Sequence, residues 1–169
     1  MHNRFDEIYN IMKEAFPKQE IRTYEDQLAL LDQSNYHISI LESESKIVGF
    51  IISWNLESFY FIEHFATSKN LRGKGLGSQL LKKYISTADK PIILEVEPAT
   101  SDISKRRIEF YKRFGFHLNN YEYVQPPLQS DTSSCELKIM SYPHPLSQED
   151  FENCRRILYH NVYNIRTDK

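Results

Sequence analysis

Residues 72 to 77 read Arg-Gly-Lys-Gly-Leu-Gly and gather three of the chain's five glycines. They lie between an apolar run, Phe59 to Thr67, and a helix-forming stretch, Ser78 to Ile85. A strand that runs into a glycine turn and then a helix aims backbone N–H groups, and the positive helix end, at one point. Such a point binds an anion, and a phosphate suits it best. Two common phosphate loops are excluded by spacing. The P-loop needs Gly-Lys followed by Ser or Thr, but Lys74 precedes Gly75 and Leu76 follows it. The dinucleotide fingerprint needs its third glycine three residues after the second, whereas Gly73, Gly75 and Gly77 are two apart. What remains is Arg-x-x-Gly-x-Gly, satisfied by Arg72, Gly75 and Gly77.

A second segment, Ser104 to Phe116, places Ile108, Tyr111 and Phe114 at helical spacing, with Gly115 as a natural C-cap. The two segments together resemble the GNAT family of acyl-CoA N-acetyltransferases. That family carries Arg-x-x-Gly-x-Gly between a strand and a helix, and later a helix ending in Tyr-x-x-x-Gly-Phe, here Tyr111, Gly115 and Phe116. The resemblance covers roughly residues 1 to 142. It implies acetyl-CoA (coenzyme A) as co-substrate, with the backbone of Phe65 and Thr67, on either side of Ala66, pairing with the pantetheine amides. N–H groups from Arg72 through Gly73, Lys74, Gly75, Leu76 and Gly77 to Ser78 would hold the pyrophosphate, with charge added by Arg72 and Lys74. It also implies that Tyr111 reaches the thiol and protonates it as it leaves. The family usually has Asn seven residues before that tyrosine. Here the residue is Ser104, whose hydroxyl is the group on offer to the pantetheine arm.

An amine attacks a thioester only when neutral, and a free alkyl ammonium titrates near 10. A base must take its proton, a donor must meet the oxyanion, and an acid must meet the thiolate. Glu63 is the candidate base, because it interrupts an apolar strand and some family members place a catalytic Glu there; the alternative is a solvent-facing carboxylate. His64 should point opposite Glu63. Glu95 and Glu97 share one face of the next strand and suit an incoming ammonium or a proton relay. Arg106 and Arg107 read as a solvated helix face or as contacts to the 3′-phosphate. The acceptor is a small-molecule or peptide amine, and the three carboxylates favour a cationic one. The alternative is a non-catalytic acyl-CoA-binding sensor or interaction module.

Composition bounds these readings. A length of 169 residues suits one domain, and 40% hydrophobic with 26% charged residues is ordinary for a globular chain. A net charge of −2 gives no electrostatic argument for nucleic acid or an anionic membrane, and neither is expected as a partner. The 11 Tyr and 10 Phe are not interleaved with basic clusters, so they read as core and surface rather than a base-stacking face. Cys135 and Cys154 form no disulfide framework, the His residues show no metal spacing, and no apolar run is long enough for a membrane. Cytoplasmic localisation and no metal are the resulting expectations.

The elements that must position these groups follow from periodicity. Phe5, Ile8, Tyr9, Met12 and Phe16 predict a helix over 3–16, and Thr23 caps a second over 23–33. Strands are predicted over 36–41, 46–56 and 59–67, joined by tight links at Glu44-Ser45 and Glu57-Ser58. A helix over 77–87, a strand over 91–97, a helix over 104–114 and strands over 116–124 and 135–141 complete the order. This is the order of the GNAT arrangement: α/β, with a mixed, mostly antiparallel sheet flanked by helices, which splays between the fourth and fifth strands. The family's usual first strand is vestigial or absent. Residues 125–134 are expected to be a mobile loop beside the acceptor. Ser147 opens a C-terminal helix with Phe151, Cys154, Ile157, Leu158 and Val162 on one face. The domains expected are therefore 1–142 and a helical extension, 143–169, packed on that domain or on a partner subunit of a homodimer.

Overall fold

The structure is a computed structural model and describes residues 2–166. The chain divides into two compact units, Met1–Lys90 and Pro91–Lys169. The last three residues of the expected extension lie outside the described ones.

In the first unit, α1 (His2–Ala15) buries Phe5, Ile8 and Met12 on one face, as their three- and four-residue spacing dictates. A 3-10 turn, Lys18–Glu20, leads to α2 (Tyr24–Ala29), where Thr23 Oγ1 accepts the N–H of Asp26 at 3.2 Å. The second helix is shorter than its pattern suggests. From Leu30 to Asp32 the backbone tightens into a 3-10 turn that feeds the first strand.

Three antiparallel strands follow: β1 (Tyr36–Ser43), β2 (Lys46–Asn55) and β3 (Tyr60–Thr67). The β1–β2 link is two residues, Glu44 and Ser45, both with positive φ (50° and 66°), the twist a tight hairpin needs. β2 lies between β1 and β3 and is buried from Ile47 through Trp54, a run that is apolar but for Ser53. A bulge interrupts β3. Ile52 faces His64 and Ser53 faces Ile62, so Glu63 is the extra residue. After a 3-10 turn at Lys69–Leu71 comes α3 (Leu76–Thr87), which buries Leu80 and Leu81 and packs on β2.

The second unit runs β4 (Ile92–Val96), α4 (Asp102–Arg113), β5 (His117–Gln125), β6 (Cys135–Tyr142) and α5 (Gln148–Asn161). β6 is antiparallel to both β4 and β5 and separates them. α4 ends where Gly115 adopts φ +92°. A side chain there would press on the Tyr142 ring, at 3.2 Å.

α5 is capped by Ser147, whose side chain accepts from Asp150 N–H, and packs on β5 of its own unit. Phe151 stacks on Tyr121 with centroids 4.7 Å apart and meets Tyr123 edge-on. The connection into α5 is fixed by Asn119. Its amide donates to the Ile139 carbonyl and Ser141 Oγ, while its Oδ1 accepts from Leu146 N–H. The loop between β5 and β6 begins later than its sequence suggests, because Gln125 still belongs to β5 and is buried. Its tip is closed by bonds between Gln129 and Thr132. No described helix is long and apolar enough to cross a membrane.

Candidate active site

In the first unit the glycine loop emerges from β3 and delivers α3. Gly73 (φ +83°) and Gly75 (φ +75°) both lie in the left-handed region, where a side chain is strained. A Cβ at either position would meet nothing within 4 Å. Conformation, not crowding, therefore demands glycine there, and the space the loop faces is open. Gly75 is the N-cap of α3 and offers no side chain to its first turn. The first intrahelical bond runs from Gln79 N–H to the Gly75 carbonyl at 3.1 Å. The N–H groups of Leu76, Gly77 and Ser78 thus precede the helical ladder, at the positive end of its dipole. Arg72 and Lys74 are exposed beside them.

Gly77 serves a different purpose. A Cβ there would sit 3.6 Å from the Phe65 ring and 3.7 Å from Thr67 Cγ2, so α3 starts against the end of β3. Gly49 on β2 is tighter still, 3.3 Å from both the Ala66 carbonyl and Thr67 Cγ2. Phe65 and Thr67 are half-buried while Ala66 between them is buried. This unit thus brings Phe65, Ala66 and Thr67 to the residues that open α3. A pyrophosphate fits this arrangement of bared N–H groups, positive φ and open space.

Glu63 lies elsewhere than a free base would. Its side chain is 1% exposed and that of Arg22 is 8% exposed, with Nη1 2.5 Å from Glu63 Oε1. Its other oxygen, Oε2, accepts from Trp54 Nε1–H at 2.9 Å. Burial pushes its pKa up, but the Arg22 guanidinium, the His64 ring and the Trp54 donor outweigh that and hold it below the usual carboxylate value. A carboxylate stabilised as the anion on both oxygens is a poor proton acceptor. Glu63, expected as the base, is here an ion-pair partner that anchors the bulge.

The same bulge breaks strict alternation. His64 does not point away from Glu63; both side chains are buried, and the Glu63 carboxylate favours a proton on the ring while burial opposes it. His64 Nε2 lies 2.8 Å from the Glu20 carbonyl, which accepts its proton, and Phe16 packs edge-on at 4.9 Å. Burial, the largest influence, depresses the His64 pKa. The imidazole is neutral near pH 7, with its Nδ1 buried and unbonded.

In the second unit, Tyr111 lies on α4 and is 7% exposed, with its ring edge-on to Phe110 and Phe116. Burial pushes its hydroxyl up to about 12, against a smaller opposing pull from Arg107. It therefore keeps its proton throughout the neutral range. Ser104 is 1% exposed and belongs to the helix cap. Its Oγ accepts from Ser101 N–H at 3.0 Å and donates to the Ser101 carbonyl at 3.0 Å. The hydroxyl of Ser104, expected to face the pantetheine arm, thus caps α4. The Ser-Asp-Ile-Ser spacing that signals a cap was present in the sequence.

Glu95 and Glu97 are half-buried on and just after β4. Glu95 Oε1 accepts from the hydroxyl of Tyr163, beyond α5. Tyr163 had no signal of its own, because its partner is distant in the chain. Among the described residues, no group of three or more His, Cys, Asp or Glu side chains is arranged to hold a metal ion.

Comparison with known proteins gives a consistent picture. Residues 5–116 match the model of the acetyltransferase (GNAT) family. The chain is 30% identical over 167 residues to YjbC of Bacillus subtilis (strain 168), which carries an acetyltransferase name, spanning 95% of this chain and 83% of that protein. A solved structure from Bacteroides thetaiotaomicron, named as a GNAT-family acetyltransferase, is 32% identical with a TM-score of 0.90. It covers 98% of this chain and 94% of its own. An aminoglycoside 6′-N-acetyltransferase complexed with coenzyme A shares the fold at 13% identity, with a TM-score of 0.57 over 85% of this chain and 92% of that one.

Proposed function

The chain belongs to the acetyltransferase (GNAT) family and is an acyltransferase, and on that premise we propose that it moves the acetyl group of acetyl-CoA to a primary amine by direct attack in a ternary complex. The observation that carries the co-substrate is the loop at the start of α3, where Gly73 and Gly75 hold positive φ and a Cβ would meet nothing. Backbone N–H groups from Arg72 to Ser78 take the pyrophosphate, and the Arg72 and Lys74 side chains add charge. The backbone of Phe65 and Thr67 takes the pantetheine amides by strand-like pairing. The coenzyme, when bound, supplies the thioester carbonyl and a thiolate leaving group.

The remaining chemistry falls to side chains of this chain. Tyr111, protonated at neutral pH because its hydroxyl is pushed up to about 12, is the donor to the departing sulfur. Of the three carboxylates, Glu63 is committed to Arg22 and Trp54 and Glu95 accepts from Tyr163; Glu95 and Glu97, neighbours along the strand, serve to draw in the ammonium, and its proton leaves to water. Proximity of the two substrates supplies much of the rate, so no covalent enzyme intermediate is required. The acceptor is a small-molecule or peptide amine, and the carboxylates at 95 and 97 favour a cationic one. Cys135 and Cys154 as thiols, outside any disulfide, suit a reducing cytoplasm.

Calorimetric titration with acetyl-CoA, with ATP and NAD as controls, tests the first half of this reading. Saturable binding of acetyl-CoA alone is expected, followed by thiol release when basic amines are added. Binding without turnover on any amine would instead identify an acyl-CoA sensor.

A further inference from the structure

Arg107 is the half-buried charge of a helix whose other charged side chains face water. In α4, Asp102, Lys105, Arg106, Glu109, Lys112 and Arg113 are exposed, while Ser104, Ile108 and Tyr111 are buried. Arg107 lies at the edge of the buried face, one turn before Tyr111. Residues four apart on a helix share a face, and each side chain leans toward the N-terminus. Tyr111 therefore leans toward the turn that begins at Arg107, and the Arg107 charge acts on its hydroxyl.

The neighbouring charges are engaged elsewhere. Lys112 Nζ lies 3.5 Å from Glu109 Oε1, and the Arg113 guanidinium lies 5.8 Å from the Phe110 ring centre. On the strands that α4 packs against, Glu95 accepts from the Tyr163 hydroxyl, and His117 Nε2 lies 2.9 Å from the Pro143 carbonyl. Among the described residues no carboxylate lies within ion-pair distance of Arg107. A half-buried cation so placed is poorly compensated until an anion forms beside it.

Acid catalysis by Tyr111 forms such an anion. Burial holds its hydroxyl at about 12, whereas an alkyl thiol titrates near roughly 8.5, so the proton passes to sulfur against its preference. The oxygen left behind is desolvated, where a bare phenolate is costly. A fixed cation offsets that cost, and it does so only as the oxygen becomes charged, which is the condition for raising kcat.

We propose that Arg107 is a positioning residue for acetyl transfer, acting through Tyr111: its guanidinium is the counter-charge for the phenolic oxygen while that hydroxyl protonates the departing sulfur. This rests on the acetyltransferase reading with Tyr111 as the acid. The Tyr111 O–H bond breaks as the S–H bond forms, and the phenolate is held against Arg107. Water then returns a proton to the oxygen, equivalent to the one the ammonium released.

The test uses the full chain, steady-state transfer to the best amine of a panel, and calorimetry with acetyl-CoA and with dephospho-acetyl-CoA. Arg107→Gln should lower kcat about tenfold, with acetyl-CoA affinity within about twofold of wild type. Arg107→Lys, which keeps the charge, should recover most of that rate. Lys105→Gln removes the same charge from the solvent face of α4 and should keep the wild-type kcat. In a Tyr111→Phe background, Arg107→Gln should change the residual rate less than about twofold, because the oxygen it serves is gone. Wild-type kcat in Arg107→Gln, an equal loss in Lys105→Gln, or an equal loss with and without the Tyr111 hydroxyl would each overturn the proposal alone. So would weaker binding of acetyl-CoA that dephospho-acetyl-CoA does not share, which would make Arg107 a 3′-phosphate contact. Wild-type kcat in Tyr111→Phe would overturn the acid itself, and no thiol release by the wild-type protein on any amine would overturn the acetyltransferase reading; the proposal falls with either.

Discussion

Glu63→Gln separates an anchor from a base. Arg22 and Glu63 are both buried, at 8% and 1% side-chain exposure, with 2.5 Å between nitrogen and oxygen. Removing one charge leaves the other desolvated and uncompensated, which costs about 3–5 kcal/mol. Glutamine keeps the shape and one acceptor oxygen for Trp54 or Arg22, so roughly 3 kcal/mol is expected for it. Glu63→Leu also orphans the Trp54 N–H, which adds about 1 kcal/mol or more. For a chain of this size each kcal/mol lowers Tm by about 2–4 °C, so Glu63→Gln should melt roughly 6–12 °C below wild type. Urea midpoints should fall in step with an unchanged slope. Acetyl transfer, assayed well below the lowered Tm, should stay within about fivefold of wild type, since a base's loss costs about 100-fold or more. A variant with near wild-type Tm and turnover reduced about a thousandfold would refute the anchoring argument and restore Glu63 as the base.

Other outcomes follow from the same geometry. Gly75→Gln should cost about 1–2 kcal/mol of stability through its positive φ, and acetyl-CoA binding by calorimetry should weaken by roughly 100-fold or more as a side chain enters the phosphate's place; affinity within threefold of wild type would remove the loop from the site. Tyr111→Phe should lower kcat about 100-fold with acetyl-CoA affinity unchanged, and an equal loss of both would make Tyr111 a packing residue. The pH dependence of stability has a defined sign. Burial depresses the His64 pKa, so as pH falls below about 6.5 the unfolded state takes a proton first and stability drops, at no more than about 1.4 kcal/mol per pH unit. The lowered pKa of Glu63 adds a further loss only below about 4.5. His64→Leu should flatten Tm between pH 7 and 5, and an unaltered slope would show that another group titrates there.

The strands, the helices and the loop were legible because each rests on local pattern: the stripe of Phe5, Ile8 and Met12, the run through β2, the caps Thr23 and Ser147. Local pattern also carried the positive φ of Gly73, Gly75 and Gly115. What it could not carry was long-range pairing. Arg22 and Glu63 are 41 residues apart, and Tyr163 and Glu95 are 68 apart; nothing near either carboxylate reveals its partner. The bulge was hidden as well, because one extra residue in Phe61-Ile62-Glu63-His64-Phe65 looks like ordinary alternation until the register is seen. Only after that shift does it become clear that Glu63 and His64 turn to the same interior. Ser104 carried two signals: its place in the family pattern suggested a ligand contact, and its place three residues after Ser101 indicated the cap that the structure shows.

Cys154 sits beneath α5, 7% exposed, with its thiol pushed up to about 11 by burial and by the neighbouring Asp150. A thiol so placed is inert to alkylating reagents while the helix stays seated. Each excursion of α5 away from β5 bares it for a moment, so the rate of its modification in native buffer counts those excursions. Cys135, part-exposed on β6, reports the reagent's intrinsic speed in the same molecule. The ratio of the two rates is a local opening equilibrium, measured without denaturant. One buried sulfur thereby becomes a clock for the segment that carries Tyr163.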